Sequence, residues 1–268
     1  MENNMSYADE EKIKNTAHLK GLLEQLPPFC YTYFRGIAQT TSVKTRMGYA
    51  YDLKIFFGFL CERHKHFKGI KFEDIRPEDL DYVKSTDIEE FLDYVSIYVP
   101  YDDESGKNKG PKILNNECAK SRKLAAVRGM YKYYLRKGLI TKDPAALVET
   151  PKIHDKNIIR LEANEVANLL DEVENGDNLT DRQQKFHEKT KIRDLAIIST
   201  LVGTGIRVSE CVGLNVDDID FDSYSFMITR KGGKQAQIYF GDEVAEDPAG
   251  YLGYRKGHPP AGRNDKAP

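Results

Sequence analysis

The stretch Gly203-Thr204-Gly205-Ile206-Arg207-Val208-Ser209-Glu210, joined later by Arg230-Lys231-Gly232-Gly233-Lys234, decides how this chain is read. The first segment follows the apolar run from Leu195 to Val202, and its two glycines turn the chain into a short helix that begins at Arg207. The second lies between alternating stretches, with Phe226 and Ile228 before it and Ile238 and Phe240 after it, and reads as a hairpin turn. Arg207 at a helix start and Lys231 at a turn tip, 24 residues apart, form a pair of cations suited to one phosphate. Helix N-termini and guanidinium forks both favour that group.

Working outward, the spacing predicts three strands, at Val216 to Ile219, Tyr224 to Thr229 and Gln235 to Phe240. A buried helix is expected from Lys191 to Val202, and the polar stretch Glu174 to Thr190 before it reads as a loop. Asp247-Pro248 reads as the cap and first residue of a new helix, in which Tyr251 and Tyr254 pack. This second domain opens near residue 159, after a proline- and lysine-bearing linker over 144–158.

The first half is helical in pattern. Residues 1–26 read as a tail or one loose helix. A helix is expected over Cys30 to Gly36 and another from Ser42 to Cys61, where Tyr49, Leu53, Phe56, Phe57 and Leu60 fall on one face. Acids in the first turn of Asp87 to Val95 suit a helix dipole. Pro100 to Pro111 reads as a polar loop. A long helix follows over Asn115 to Lys137, with the stripe Cys118, Leu124, Val127, Tyr131 and Leu135 and with Gly138 as its cap. Residues 27–143 thus read as an all-α domain of four or five helices.

A chain of 268 residues with 40% apolar and 31% charged residues suits two soluble domains. No apolar run is long enough for a membrane helix, no signal pattern opens the chain, and the cytoplasm is the expected compartment. Cys30, Cys61, Cys118 and Cys211 are scattered and form neither a zinc ribbon nor a disulfide scaffold by spacing. His64 and His66, two apart, read as a solvated helix end rather than a metal site. The net charge of -2 hides a strong asymmetry: Lys107 to Lys137 carries ten bases and one acid, while Lys71 to Glu104 carries twelve acids and three bases. Local fields of this kind decide where a polyanion docks.

The Arg207 motif, the spacing to Lys231 and the three-strand order resemble the catalytic domain of the tyrosine recombinases, the phage-integrase and Xer family. The helical block resembles that family's core-binding domain. The N-terminal block and the polar insert are most similar to the Xer recombinases that act alone in streptococci and their relatives. The resemblance implies a mainly α protein with a small antiparallel sheet. In it, an all-α, SAM-like core-binding domain precedes an incomplete α+β catalytic domain over 159–268. It implies site-specific DNA recombination, strand breakage and rejoining through a 3′-phosphotyrosine, with no metal or nucleotide cofactor. Arg207 would clamp the scissile phosphate, Lys231 would protonate the departing 5′ oxygen, and Glu210 would hold Arg207 or form a simple surface pair with it. Double-stranded DNA is the implied partner, with a homotetramer on DNA for a full-length member. The candidate DNA contacts are Lys44, Arg46, Lys107, Lys109, Lys112, Lys120, Arg122, Lys123, Arg128, Lys132 and Lys234.

The chain departs from the family pattern after the hairpin. His258 is followed by Pro259, Pro260 and Ala261, so no His-x-x-Arg pair begins there, and Tyr251 and Tyr254 come too early to be the nucleophile. The expectation is a recombinase cut off within its catalytic domain and inactive as it stands. Three readings stay open: a recombinase, a DNA-binding relative that occupies sites or pairs with a full-length protomer, and a helical interaction protein.

Overall fold

The computed structural model describes residues 7–102, 107–108, 110–154, 157, 159–230 and 233–257. The chain divides into two compact units, Met1–Lys156 and Asn157–Pro268.

The first unit holds α1 (Tyr7–Leu23), α2 (Cys30–Gly36), α3 (Val43–Arg63), α4 (Ser85–Tyr94) and α5 (Glu117–Arg136). The periodic stripe of α3 does what its spacing requires, because Leu53, Phe56, Phe57 and Leu60 are all fully buried. Ser42 starts that helix by accepting the Thr45 N–H at 3.2 Å, and Asn116 starts α5 by accepting the Ala119 N–H at 2.9 Å. Caps of this kind are each worth about 1 kcal/mol. Gly138, at φ +67°, ends the α5 region in a conformation that favours glycine. The buried face of α5 is wider than the expected stripe. Ala126, Met130 and Tyr134 join Leu124, Val127 and Tyr131 in the core, whereas Cys118 and Leu135 lie outside it.

Four local expectations change. Of the two alternatives for the segment before residue 27, the described part, from Tyr7, is the helix, and it is not loose: Leu19, Leu22, Leu23 and Leu26 are buried with the rest of this core, along α1 and its exit. The stretch from Pro100 to Pro111 is not simply a loop. β1 (Ile97–Tyr98) pairs antiparallel with β4 (Ile113–Leu114), and between them β2 (Tyr101–Asp102) pairs with β3 (Lys107–Asn108). The histidine pair is not a solvated helix end. His66 Nε2 lies 2.8 Å from Asp79 Oδ1 with its ring stacked on Tyr82, and His64 Nε2 lies 3.4 Å from Asp87 Oδ2. At the far end, Ala145 and Val148 still belong to this core, so the helical block continues into the 144–158 stretch.

The second unit holds α6 (Ala163–Asn175), α7 (Asp181–Thr204), α8 (Val208–Cys211), β5 (Ile219–Asp220), β6 (Ser225–Thr229), β7 (Gln235–Tyr239) and α9 (Asp242–Gly257). The sheet is antiparallel in the order β5-β6-β7, with Phe226 opposite Ile238 and Ile228 opposite Ala236. The first expected strand is shorter than its sequence suggested, because Val216–Asp218 form a 3-10 turn. The expected loop from Glu174 to Thr190 is a helical hairpin. Gly176 ends α6 at φ +68°, and Thr180 starts α7 by pairing its N–H with Gln183 Oε1 at 3.0 Å. Gln184 and His187 then tie back to the carbonyls of Gly176 and Val173. Nor is α7 buried through its apolar half: Ala196, Ser199 and Thr200 are buried, but Ile197 and Val202 are about two-fifths exposed. Finally, α9 runs unbroken through Pro248, where a new helix was expected.

Candidate active site and nucleic-acid interface

Local geometry explains the glycines of the leading motif. A Cβ at Gly203 would overlap Val244 of α9, so the close approach of α9 requires a bare backbone there. Gly205, at φ +65°, closes α7 with its N–H on Leu201 O at 3.0 Å. Ile206 then turns inward, joining Leu214, Phe226 and Ile228 in the small core of this unit. Arg207 follows as the residue that caps α8.

Glu210 holds Arg207 at two points. Its Oε2 accepts the Arg207 backbone N–H at 2.9 Å and its Oε1 accepts Nη1 at 2.9 Å. The carboxylate side chain is 6% exposed, while that of Arg207 is 69% exposed. The bond from the Arg207 backbone holds the Glu210 carboxyl below its ordinary range, and the charges of Arg207 and Arg230 push the same way. An acceptor fixed behind an exposed guanidinium leaves the remaining N–H groups directed at solvent, which is the arrangement a bound anion needs.

Lys231 and Gly232 lie outside the described residues. Their neighbours form a tight turn, with Arg230 N–H on Lys234 O at 2.7 Å and Gly233 N–H on Arg230 O at 3.0 Å. Arg230, whose charge reaches Glu210, was not singled out by the sequence; its only signal was its place beside Lys231.

The proposed basic face of the first unit is thinner than its charge count. Lys123 is 4% exposed, with Nζ 3.6 Å from the buried Asp52 and 3.3 Å from Asn115 Oδ1. Burial lowers its pKa, although Asp52 pulls the other way. Arg128 donates to the carbonyls of Ala145 and Val148 and to Thr150 Oγ1, and so pins the segment after α5. Lys120 pairs with Glu117 at 2.8 Å and is 17% exposed. These side chains serve the fold, which corrects the assignment of Lys123 and Arg128 as free phosphate ligands. Lys112, Lys132 and Lys234 are exposed. Lys44 is exposed and 3.7 Å from Glu11. Arg46 is half-buried, and its Nε has no hydrogen-bond partner among the described residues. Lys109 and the side chain of Lys107 lie outside the described residues. Among the described residues, no three His, Cys, Asp or Glu side chains gather as metal ligands, and no helix is long and apolar enough to cross a membrane.

Residues 159–261 match the phage integrase family. The tyrosine recombinase XerC of Caldanaerobacter subterraneus subsp. tengcongensis is 32% identical over 238 residues, covering 87% of this chain and 59% of the relative. The tyrosine recombinase XerD of Corynebacterium glutamicum is 34% identical over 143 residues, covering 53% of this chain and 43% of the relative. The chain therefore spans at most about three-fifths of the length of these curated relatives. Among solved structures, the XerH site-specific recombinase bound to difH substrate has the same fold, with a TM-score of 0.52 at 17% identity over 86% of this chain and 58% of that one. A lambda integrase tetramer bound to a Holliday junction gives 0.52 at 15% identity, over 86% and 56%.

Proposed function

We propose that this Xer-like chain of the phage integrase family of tyrosine recombinases binds duplex DNA and presents Arg207 to a backbone phosphate for site-specific strand exchange. The observation that carries the reading is the Glu210 clamp, which fixes an exposed guanidinium at the start of α8. In the family reaction a tyrosine oxygen bonds to phosphorus, the bond from phosphorus to the 5′ oxygen breaks, and that oxygen takes a proton. Arg207 stabilises the charge that grows on the non-bridging oxygens, because its N–H groups are already oriented. Lys231 supplies the proton to the leaving oxygen. Glu210 acts through Arg207 as its positioning residue. We assign no nucleophile among these residues.

A second reading is a relative that holds DNA or pairs with a longer protomer without cutting. One pair of experiments separates the readings. A gel shift over a salt series is expected to show binding that weakens steeply as salt rises, because counterion release then gains less. No shift at low salt would remove both readings. A nicked suicide substrate then tests cutting: a covalent protein–DNA adduct lost in Arg207→Ala supports recombination, and binding without an adduct supports the second reading.

A further inference from the structure

Helix α3 carries a glycine near its start, Gly48, where almost any other residue would favour the helix more. Its carbonyl and its missing side chain both face Arg122 of α5. Gly48 O accepts from Arg122 Nη1 at 3.3 Å, and a Cβ placed on Gly48 would stand 3.2 Å from that nitrogen. The same Nη1 lies 2.7 Å from Oδ2 of Asp52, one helical turn further along α3. Asp52 is completely buried, and its other oxygen lies 3.6 Å from Lys123 Nζ. The buried carboxylate is thus held between two cations at close range. One corner of the guanidinium is thereby turned inward, yet the Arg122 side chain remains 49% exposed. A planar fork fixed at one corner presents its other donors in a set direction, and such a fork matches two phosphate oxygens.

We propose that Asp52 and Gly48 are positioning residues that preset Arg122 as a fork for one backbone phosphate of duplex DNA. The proposal rests on the DNA-binding reading above and names the residues behind one of its contacts. It also gives the helix-weakening glycine a purpose, since a side chain at position 48 displaces the guanidinium. The competing account is a buried ion pair that only fastens α5 to α3.

The two accounts differ in sign. Asp52→Asn removes a negative charge beside a surface meant for a polyanion, so on charge alone the variant binds DNA more tightly. A preset fork predicts weaker binding, by roughly five- to tenfold, because the guanidinium loses its anchor. Gly48→Ala favours the helix, so the melting temperature holds or rises, while the preset fork predicts roughly threefold weaker binding. Arg122→Gln is expected to weaken binding roughly tenfold and to lower the salt slope by about one counterion. In the Arg122→Gln background neither of the other two substitutions should weaken binding further.

The experiment uses the full chain, a labelled random-sequence duplex, anisotropy across a salt series, and circular dichroism melts of each variant. Unchanged or tighter binding by both Asp52→Asn and Gly48→Ala overturns the proposal. If Asp52→Asn does not fold, Gly48→Ala decides alone. Wild-type chain that shows no salt-dependent binding removes the parent reading, whereas wild-type binding with indifferent variants removes only this one.

Discussion

The two units bury their apolar residues to very different extents. Among the described residues, the core of the first unit holds 33 buried members, including fully buried Phe56, Phe57, Phe91, Tyr131 and Tyr134. The core cluster of the second holds four, Ile206, Leu214, Phe226 and Ile228. Helix α6 buries none of its residues, and α7 buries three of 24. Burial is the main favourable term in folding. The difference therefore teaches that the first unit supplies its own stability, while the second is held by caps, by hairpin pairing and by contact between α7 and α9. The candidate catalytic arginine sits in the weaker of the two.

The largest effect should come from the aromatic core. Phe56→Ala empties a site whose ring meets Phe57 and Phe91 edge to face, and substitutions of this kind cost about 3–5 kcal/mol. Hydrogen exchange should rise throughout α3, α4 and α5. The comparison breaks if amides of β6 and β7 lose protection to the same degree.

A titration sharpens it next. Burial raises the Asp52 carboxyl to about 6, against the opposing pull of Arg122 and then Lys123. A carboxyl whose folded value lies above its unfolded one binds a proton more tightly when folded. Its contribution is therefore most favourable below about pH 4 and is lost as pH rises through 6, by up to about 3 kcal/mol. Urea midpoints of the first unit over this window should carry that falling component, and Asp52→Asn should remove it. A rising component from depressed carboxylates elsewhere is common to both proteins and cancels in their difference.

Much of the first unit was legible because long helices with a full apolar face write their period into the sequence, as Leu53, Phe56, Phe57 and Leu60 do. The second unit was less so. Asp181 to Thr190 is polar and still helical, because the Thr180–Gln183 cap and good helix formers need no buried face. Two-residue strands such as β1 and β4 carry no alternation to detect. For the site, the Arg207–Glu210 pair follows from its three-residue spacing. A charge count could not tell that Lys123 points inward, because its partner Asp52 lies 71 positions upstream. It also could not tell that Arg128 is engaged by three acceptors on the segment that follows α5.

A smaller effect probes the packing of α7 on α9. Gly203→Ala places a methyl group into Val244, so α9 must shift, at a cost of about 1–3 kcal/mol. Exchange along Asp242–Gly257 should accelerate while α3 and α5 stay protected. If the first unit responds as well, the two do not behave as separate stability units.

The smallest effect is local to the site. Glu210→Gln keeps the size of the side chain but loses the charge, and a single amide oxygen replaces the two acceptors that serve Arg207. Global melting should barely move, while amides at the start of α8 exchange faster. Wild-type protection there should also depend on acid. The Glu210 carboxyl is held below its ordinary range by the Arg207 backbone bond, so its contribution is complete above that range and is lost as pH falls through the depressed value. The glutamine variant has no such dependence, and a pH series of exchange at Val208 to Cys211 checks it. Equal acid sensitivity in the two proteins would mean that something other than this carboxylate orients Arg207. The weaker unit would then hold its candidate catalytic cation by a different device.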